Sequence, residues 1–429
     1  MDNPDTWRIL PPMTHDSDIL IIGGGLNGPA LALALARAGL SVTVIDALPK
    51  ATRELSDFDG RSYALALAST RLLDHLGIWD RVAQNSQPML EIKVTDGRAG
   101  DGPAPWMLHF DHAEIEEGPM GYMLEDRHLR LALLNAMEEE PRITQVNADS
   151  VVDQCTAPDH AAVTLASGRR ITGRVLVGCD GRASGTARRA GIRRTGWNYG
   201  QTAIVCAVSH EKPHGGIAHQ FFMPHGPLAI LPLPDNRSSI VWSETTARAD
   251  RIMTMEADDF LDALRPAFGS FLGEIALEGQ RFAYPLRLTL ASAFVADRLA
   301  LVGDAAHGMH PIAGQGLNAG MRDVAALAEV LTEARARGED IASAQVLARY
   351  QKWRRFDTAA LALARLQASQ CLMHSASGRL AGLGTEAPRC NRPRRPSRVR
   401  GHIRRGPESD LRWPRGARSC HVPHDCAVI

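Results

Sequence analysis

The sequence predicts an α/β protein in which a Rossmann-like, dinucleotide-binding domain is interleaved with a smaller, mostly antiparallel β-sheet domain. A strand, a glycine-rich turn, a helix and a second strand follow one another over residues 18–46, which indicates a βαβ unit with parallel strands. Residues 197–281 hold short apolar runs separated by Pro, Gly and Asn, a pattern typical of antiparallel strands. From Arg298 the alternation of strand and helix returns, so we expect the first domain to resume there.

The elements follow from apolar runs and from helix signals. Residues 18–22 form a short β-branched run that predicts a buried strand, and residues 29–38 form an Ala/Leu-rich helix that Gly39 ends. Residues 41–45 predict the second strand. Further along, helical spacing covers residues 61–76, 127–138, 258–271 and 321–333, and residues 174–177 predict another buried strand.

Composition and charge exclude several classes of protein. The chain has 429 residues, 45% hydrophobic and 22% charged, which excludes a disordered chain, a collagen-like fibre and a coiled coil. Its 48 basic residues balance 48 acidic ones, so we expect no nucleic-acid partner. Seven Cys without a CxxC pair indicate reduced thiols and a cytoplasmic location. We expect neither a signal peptide nor a transmembrane helix.

The turn after the first strand has the pattern of a dinucleotide-binding loop. Gly23, Gly25 and Gly28 make G-x-G-x-x-G between a strand and a helix, and Asp46 ends the next strand. The glycines permit a tight turn, close approach of the backbone to a pyrophosphate, and close packing of helix on strand. The helix N-terminus attracts the phosphates. Because an acid at the position of Asp46 would bind a ribose 2′-OH and repel a 2′-phosphate, the site suits FAD or NAD rather than NADP.

Two later segments also place acids where strands end. Residues 179–188 (CDGRASGTAR) follow a strand, and residues 301–323 (LVGDAAHGMHPIAGQGLNAGMRD) combine a strand end with a glycine-rich loop and a helix. Ligands bind at the carboxyl ends of strands in open α/β sheets, so Asp180 and Asp304 are candidate ligand contacts. Pro311, Gly314 and Gly316 precede the helix and offer a second backbone-lined anion site.

Together the three segments resemble those of the class A FAD-dependent aromatic monooxygenases, whose fold is that of para-hydroxybenzoate hydroxylase. Within them, residues 310–323 match the signature of the ubiquinone-biosynthesis hydroxylases position by position. Residues 57–67 (DFDGRSYALAL) and 121–132 (GYMLEDRHLRLA) resemble the same subgroup. The resemblance extends over residues 17–360.

The resemblance implies which residues bind the cofactor. Asp46 would bind the adenosine ribose of FAD, Arg61 and Arg127 would lie by the pyrophosphate, and residues 311–318 would lie beside the isoalloxazine ring. The implied set contains no metal ligand and leaves the catalytic residues open. It consists of Gly23, Gly25, Gly28, Asp46, Arg61, Arg127, Asp180, Gly303, Asp304, Pro311, Gly314, Gln315, Gly316 and Asn318.

The resemblance also implies a reaction and partners. In this family NAD(P)H reduces FAD, and the reduced flavin reacts with O₂ to give a C4a-hydroperoxide. The terminal oxygen is then transferred to the ring of an electron-rich phenol. In the subgroup the substrate is a polyprenylated phenol of the 2-polyprenyl-6-methoxyphenol type, and its prenyl chain implies contact with the inner-membrane surface or with other ubiquinone-biosynthesis proteins.

The expected domain limits follow the same resemblance. The FAD-binding domain would comprise residues 17–90, 120–195 and 282–385, the last part including a C-terminal helix. The substrate domain would comprise residues 91–119 and 196–281. Residues 386–429 contain 11 Arg and six Pro and lack hydrophobic periodicity, so we expect a disordered tail, which a shifted reading frame would also produce.

Some features leave alternatives open. The family has Arg three residues after the Ser of D-G-x-x-S, where this chain has Ala187 followed by Arg188. Three rival functions remain: a hydroxylase of a soluble aromatic acid, a catalytically impaired flavin-binding copy, and a reductase of prenyl double bonds. The first needs a cation for the carboxylate, for which the candidates are Arg237, Arg248 and Arg287.

Overall fold

The computed structural model describes residues 15–58, 60–98, 102–114, 117–308, 315–355 and 357. The predicted tail, residues 386–429, lies outside them.

The strands and helices alternate through the described chain. In chain order the strands are β1 (Ser17–Ile22), β2 (Val42–Ile45), β3 (Ser62–Leu65), β4 (Gln87–Met89), β5 (Glu91–Arg98), β6 (Gly102–Asp111), β7 (Gly121–Glu125), β8 (Ile143–Val146), β9 (Val151–Thr156), β10 (Ala161–Leu165), β11 (Arg170–Gly178), β12 (Arg194–His210), β13 (Ile217–Met223), β14 (Gly226–Leu233), β15 (Arg237–Thr245), β16 (Ile275–Ala291), β17 (Val295–Ala296), β18 (Leu299–Leu301) and β19 (His307–Gly308). The helices are α1 (Asn27–Arg37), α2 (Lys50–Arg53), α3 (Leu67–His75), α4 (Trp79–Val82), α5 (Asp126–Glu139), α6 (Gly185–Arg189), α7 (Thr246–Met253), α8 (Ala257–Phe268), α9 (Gln315–Ala336) and α10 (344–355).

The first sheet carries the predicted βαβ unit. Its order is β17-β18-β11-β1-β2-β8, and β18, β11, β1, β2 and β8 pair in parallel. Its central strand β1 is almost fully buried because α1 packs on the sheet and is itself covered by α5 and α9. The parallel α/β layer that the sequence predicted is therefore present.

The second sheet is mostly antiparallel, as the sequence predicted. Its order is β19-β16-β12-β15-β14-β13-β5-β6, and its pairs are antiparallel except for β13 with β5. One face packs on α8 through a core that includes Trp242, Phe260 and Phe268. The domain limits given above stay a prediction, since β16 runs without a break across residues 281 and 282.

A small third sheet corrects one predicted helix. The helix expected over residues 61–76 is wrong in its first part, because Ser62–Leu65 is a strand and only Leu67–His75 is helical. The strand pairs with β7, with Tyr63 opposite Leu124, in the sheet β3-β7-β4. Its backbone partners come from residues some 60 positions away, so local helical spacing gave no sign of them.

Two other helices keep their predicted place but not their ends. The helix expected over residues 321–333 runs over Gln315–Ala336 and so begins inside the glycine-rich segment. The helix expected over residues 258–271 ends at Phe268, where Gly269 follows with φ +86°. Among the described residues, we find no helix with the length and apolarity needed to cross a membrane.

Candidate functional site

The three segments singled out in the sequence meet at one edge of the first sheet. The strands β1, β2, β11 and β18 are parallel, so their carboxyl ends lie side by side. Backbone hydrogen bonds join them there: Cys179 N–H donates to Ile22 O at 2.7 Å, and Val302 N–H donates to Gly178 O at 2.9 Å. The loops that carry the predicted acids therefore start from neighbouring positions.

The glycines of the first loop have two different environments. Gly23 has φ +107°, and a Cβ there would overlap the carbonyl of Cys179. A Cβ on Gly28 would overlap the carbonyl of Gly23, which is the close packing of helix on strand that the motif predicts. Gly25 has no protein atom within 4 Å of its ideal Cβ position. The packing of the chain thus requires glycine at two positions and leaves space at the third.

Asp46 organises the loop around it. Its Oδ2 accepts a hydrogen bond from Gly24 N at 2.5 Å, and its Oδ1 accepts one from Leu48 N at 2.7 Å. The carboxylate is therefore fixed at the end of β2, beside the start of α1. The structure brings this acid and the glycine turn together, as the sequence predicted.

In the second segment Asp180 holds its own loop. Its oxygens accept from Ser184 Oγ at 2.5 Å and from Thr186 N and Oγ1 at 2.9 Å each. The neighbouring Gly181 is open, with no atom within 4 Å of an added Cβ. Ala187 is fully buried and Arg188 is exposed.

Cys179, at the same strand end, is not a reactive thiol. Burial, followed by the nearby charge of Asp180, raises the pKa of the Cys179 thiol well above its ordinary value. A thiol kept protonated in this way is a poor nucleophile.

In the third segment Asp304 lies between two arginines. Arg182 Nε donates to Asp304 Oδ2 at 2.9 Å, and Arg194 Nη2 donates to the Asp304 carbonyl at 2.7 Å. Arg182 belongs to the second segment, so this pair joins the second and third segments. Gly303, just before the acid, has φ +63°, which favours glycine.

Asn27 joins the first and third segments. Its Nδ2 lies so close to Gly303 and Gly320 that a Cβ on either glycine would overlap it. Its Oδ1 is buried and has no hydrogen-bond partner among the described residues. An unpartnered acceptor at the first turn of α1 is a position that a bound donor group would satisfy.

A buried ionic cluster lies directly beneath the third loop. Asp323 is fully buried and accepts from Gly303 N at 2.8 Å, from His307 Nε2 at 2.6 Å and from Arg354 Nε at 2.6 Å. Burial opposes the charge of Asp323, yet His307 and Arg354 together hold its pKa below the ordinary value. Sequence reasoning missed this cluster because no spacing rule connects residues 307, 323 and 354.

His307 is 1% exposed and serves as a partner of Asp323. His310, the other histidine of that loop, lies outside the described residues.

Arg61 and Arg127 are neighbours in the structure. Arg61 Nη2 lies 3.2 Å from Asp126 Oδ2, and Arg127 Nε donates to Glu125 Oε2 at 2.7 Å. Both acids are nearly fully buried at the junction of β7 and α5. The structure thus holds the two predicted arginines on one junction, each by a buried carboxylate.

The start of α9 is clamped to the third sheet. Asn318 Oδ1 accepts from Ala66 N at 2.9 Å and from Ser69 Oγ at 2.7 Å, while its Nδ2 donates to Ala64 O at 2.7 Å. Gly316, in the same turn of helix, has no neighbouring atom of the described residues within 4 Å of an added Cβ. Gln315 is the first residue of α9. Pro311 and Gly314 lie outside the described residues.

An aromatic face of the second sheet is turned toward these elements. Residues paired across antiparallel strands project to the same side, so Phe282 and Tyr284 share a face with their partners Val205 and Ala203. The two rings stack, with centroids 6.5 Å apart and planes 20° apart. Phe282 also lies against Gly60, and Tyr284 is 36% exposed.

The same face continues toward α9. Leu288 lies on it by alternation along β16, and it packs with Tyr199 against Ala319 of α9. Tyr199 and Tyr284 lie on this side of the sheet. Phe221 instead packs in the core beneath α8.

The arginines considered for a carboxylate substrate are mostly engaged. Arg237 Nη2 lies 3.0 Å from Glu125 Oε1, and Arg248 Nε lies 3.4 Å from Glu244 Oε1. These acids already neutralise both guanidinium groups. Arg237 and Arg248 are therefore already paired with acids, whereas Arg287, the third candidate, is exposed.

The residues present fit FAD. The acid at the end of β2, the open space at Gly25, Gly181 and Gly316, and the unpartnered Asn27 Oδ1 lie along one sheet edge and its adjoining helix starts. Two helices, α1 and α9, begin at this edge, and helix N-termini attract anions. Among the described residues, we find no group of three or more His, Cys, Asp or Glu side chains that could hold a metal ion.

Comparison with known proteins agrees with this fit. The family model described as "FAD binding domain" matches residues 16–363. Ubiquinone hydroxylase UbiL of Rhodospirillum rubrum is 46% identical over 341 residues, which are 80% of this chain and 78% of that protein. The 3-demethoxyubiquinol 3-hydroxylase of Escherichia coli is 38% identical over 343 residues, 80% of this chain and 86% of that protein.

The solved structures extend the likeness to the fold. The crystal structure of pqsL, a probable FAD-dependent monooxygenase from Pseudomonas aeruginosa, superposes with a TM-score of 0.69 at 22% identity. The superposition covers 84% of this chain and 99% of that chain. The fold class predicted from the sequence, para-hydroxybenzoate hydroxylase-like, is confirmed.

Proposed function

This chain belongs to the FAD binding domain family, and on that premise we propose that it is an FAD-dependent monooxygenase that hydroxylates the ring of a polyprenylated phenol. The two relatives described above, matched over 78% and 86% of their length, are named as a ubiquinone hydroxylase and a 3-demethoxyubiquinol 3-hydroxylase. We infer from these names a substrate that is a phenolic precursor of ubiquinone, with O₂ and NAD(P)H as co-substrates.

One observation carries the proposal: three segments far apart in the chain meet at one sheet edge, opposite an aromatic sheet face. The edge offers backbone N–H groups and an acid to a dinucleotide. The face offers the rings of Phe282 and Tyr284 to an aromatic substrate. A cofactor bound along the edge would extend toward the start of α9, where this face adjoins it.

We propose a division of work among the cofactor residues. Gly23 and Gly28 shape the turn, and the space at Gly25 admits the pyrophosphate. Asp46 binds the adenosine ribose, while Asp180 and Asp304 hold the loops that line the rest of the cofactor. Gly316 leaves room at the start of α9, and Asn318 anchors that start to the third sheet.

When bound, FAD supplies the transfer of electrons from NAD(P)H and the activation of O₂. The protein's own residues orient and shield the substrate. Phe282, Tyr284 and Leu288 provide apolar surface that holds a ring and excludes water, which favours transfer of oxygen over its loss. The neutralised Arg237 and Arg248 make a soluble aromatic acid the weaker candidate.

A prenyl chain also requires a lipid environment. We infer that the substrate is delivered from a membrane surface or from a partner protein, because a polyprenyl chain does not dissolve in water.

The test is flavin reduction under anaerobic conditions. The purified protein should show a flavin absorbance spectrum, and NADH or NADPH should bleach it faster when a prenylphenol is present. A soluble hydroxybenzoate serves as the control substrate and should not accelerate bleaching. Bound flavin that no prenylphenol affects would favour an impaired flavin-binding copy, and acceleration by the hydroxybenzoate alone would favour the aromatic-acid rival.

A further inference from the structure

A buried arginine lies beside the dinucleotide loop, outside the set that the sequence singled out. Arg53 ends α2 and is 5% exposed. Its Nη1 donates to Gly24 O at 3.2 Å, and its Nη2 donates to Asn147 Oδ1. Its Nε is buried without a hydrogen-bond partner among the described residues. One of its donors is thus left for another acceptor.

The charge of Arg53 is also unmatched. In the described part of the chain, no carboxylate lies within 4.0 Å of its guanidinium, whereas the equally buried Arg354 has both Asp323 and Asp357. The nearby Asp46 directs its two oxygens to the backbone N–H groups of Gly24 and Leu48. Burying a cation without an anion costs free energy of folding. A negatively charged or oxygen-rich ligand bound at Arg53 would offset that cost.

The position of Arg53 selects the ligand. A Cβ on Gly24 would overlap Arg53 Nη1 and would lie 2.9 Å from Asp46 Oδ2. The guanidinium therefore lies at the same turn as the acid assigned to the adenosine ribose. Arg130 holds the backbone of Arg53 in this position, because its Nη1 donates to the Arg53 carbonyl. The Nε of Arg130 donates to Asp126 Oδ2 at 2.8 Å.

We propose that Arg53 is a further cofactor-binding residue, which donates from Nε to the adenosine monophosphate half of FAD. The inference rests on the assignment of FAD to this edge. There the unmatched charge of Arg53 would attract the phosphate next to the ribose, which the negative charge of Asp46 alone would repel.

The experiment measures binding rather than turnover. Apoprotein is titrated with FAD by quenching of flavin fluorescence, and AMP is used as a competitor. In Arg53→Gln the Kd for FAD and the inhibition constant of AMP should both rise by about ten- to a hundredfold, the loss typical of a hydrogen bond to a charged group. Arg53→Lys should recover part of both affinities.

Two further variants separate binding from folding. Asn147→Ala removes the acceptor of Nη2 but keeps the charge, so it should weaken FAD and AMP together by a smaller factor. Arg281→Gln is the matched control, because Arg281 of β16 is half-buried and lies over Phe260 of α8, and its Nη1 has no hydrogen-bond partner among the described residues. It should leave both affinities unchanged.

Several outcomes would overturn the proposal. Unchanged FAD affinity in Arg53→Gln would do so, and so would weaker FAD binding with unchanged inhibition by AMP, since the loss would then lie elsewhere on the cofactor. An equal loss in Arg281→Gln would show a general effect on folding. Wild-type protein that binds no FAD would instead contradict the cofactor assignment itself.

Discussion

Removing Arg354 should destabilise the protein from beneath the cofactor loop. In Arg354→Met the fully buried Asp323 loses the guanidinium at 2.6 Å and, among the described residues, keeps Gly303 N and His307 Nε2 as donors. Breaking a buried pair by removing one partner costs about 3–5 kcal/mol, because an uncompensated charge stays buried. That is a large share of the roughly 5–15 kcal/mol that stabilises a typical domain.

The assay is urea unfolding of the apoprotein, followed by circular dichroism at pH 7. Arg337→Met is the control, since Arg337 follows the last residue of α9 and forms an exposed pair with Glu333 at 2.9 Å, and exposed pairs are worth about 0.2–1 kcal/mol. His307 and Arg354 hold the pKa of Asp323 below its ordinary value. The charged Asp323 therefore stabilises the fold at a pH above the ordinary pKa of Asp, and this contribution is lost as the pH falls through the lowered pKa of Asp323.

A double variant measures the coupling between Asp323 and Arg354. Asp323→Asn combined with Arg354→Met removes both charges, so its loss should be clearly smaller than the sum of the two single losses. If Arg354→Met lies within about 1 kcal/mol of wild type, or if the two single losses simply add, Asp323 does not depend on Arg354 and the reasoning fails.

Other predictions follow from single contacts. Gly28→Ala should lower the melting temperature of the apoprotein, because its Cβ would overlap the carbonyl of Gly23. Gly25→Ala should leave that temperature unchanged and weaken FAD binding. An equal fall in melting temperature in both variants would contradict this. Asp304→Ala should lose FAD while the chain stays folded, and full flavin occupancy after gel filtration would refute it. Burial lowers the pKa of His219 to about 4, so below about pH 6.5 the unfolded chain binds a proton at this residue that the folded chain does not. The free energy of unfolding should therefore fall with pH, by at most about 2 kcal/mol at pH 5. His219→Gln should remove that loss in urea unfolding at pH 5 against pH 7; an unchanged difference would count against it.

The sequence predicted those features well that depend on residues close together in the chain. The glycine turn, the helix that follows it and Asp46 at the next strand end are all local features, and the structure brings them together. The meeting of the three segments also followed, because acids at the ends of parallel strands must share one edge.

What the sequence did not predict depends on distant partners. The strand Ser62–Leu65 forms because β7 supplies its backbone partners, and Asn318 is held by residues more than 240 positions earlier. Arg53 and Arg354 look like ordinary helix arginines in the sequence. Only the structure shows that Arg354 pairs with two acids, whereas no acid of the described residues lies within 4.0 Å of the Arg53 guanidinium.

The most direct test of the central claim is the fate of oxygen. The FAD-loaded protein is incubated with a prenylphenol, NAD(P)H and isotopically labelled O₂, and the product is analysed by mass spectrometry. Our account predicts a ring-hydroxylated phenol that carries one labelled oxygen atom, formed in step with NAD(P)H consumption. Bound flavin without labelled product, or a product reduced in its prenyl chain, would contradict it.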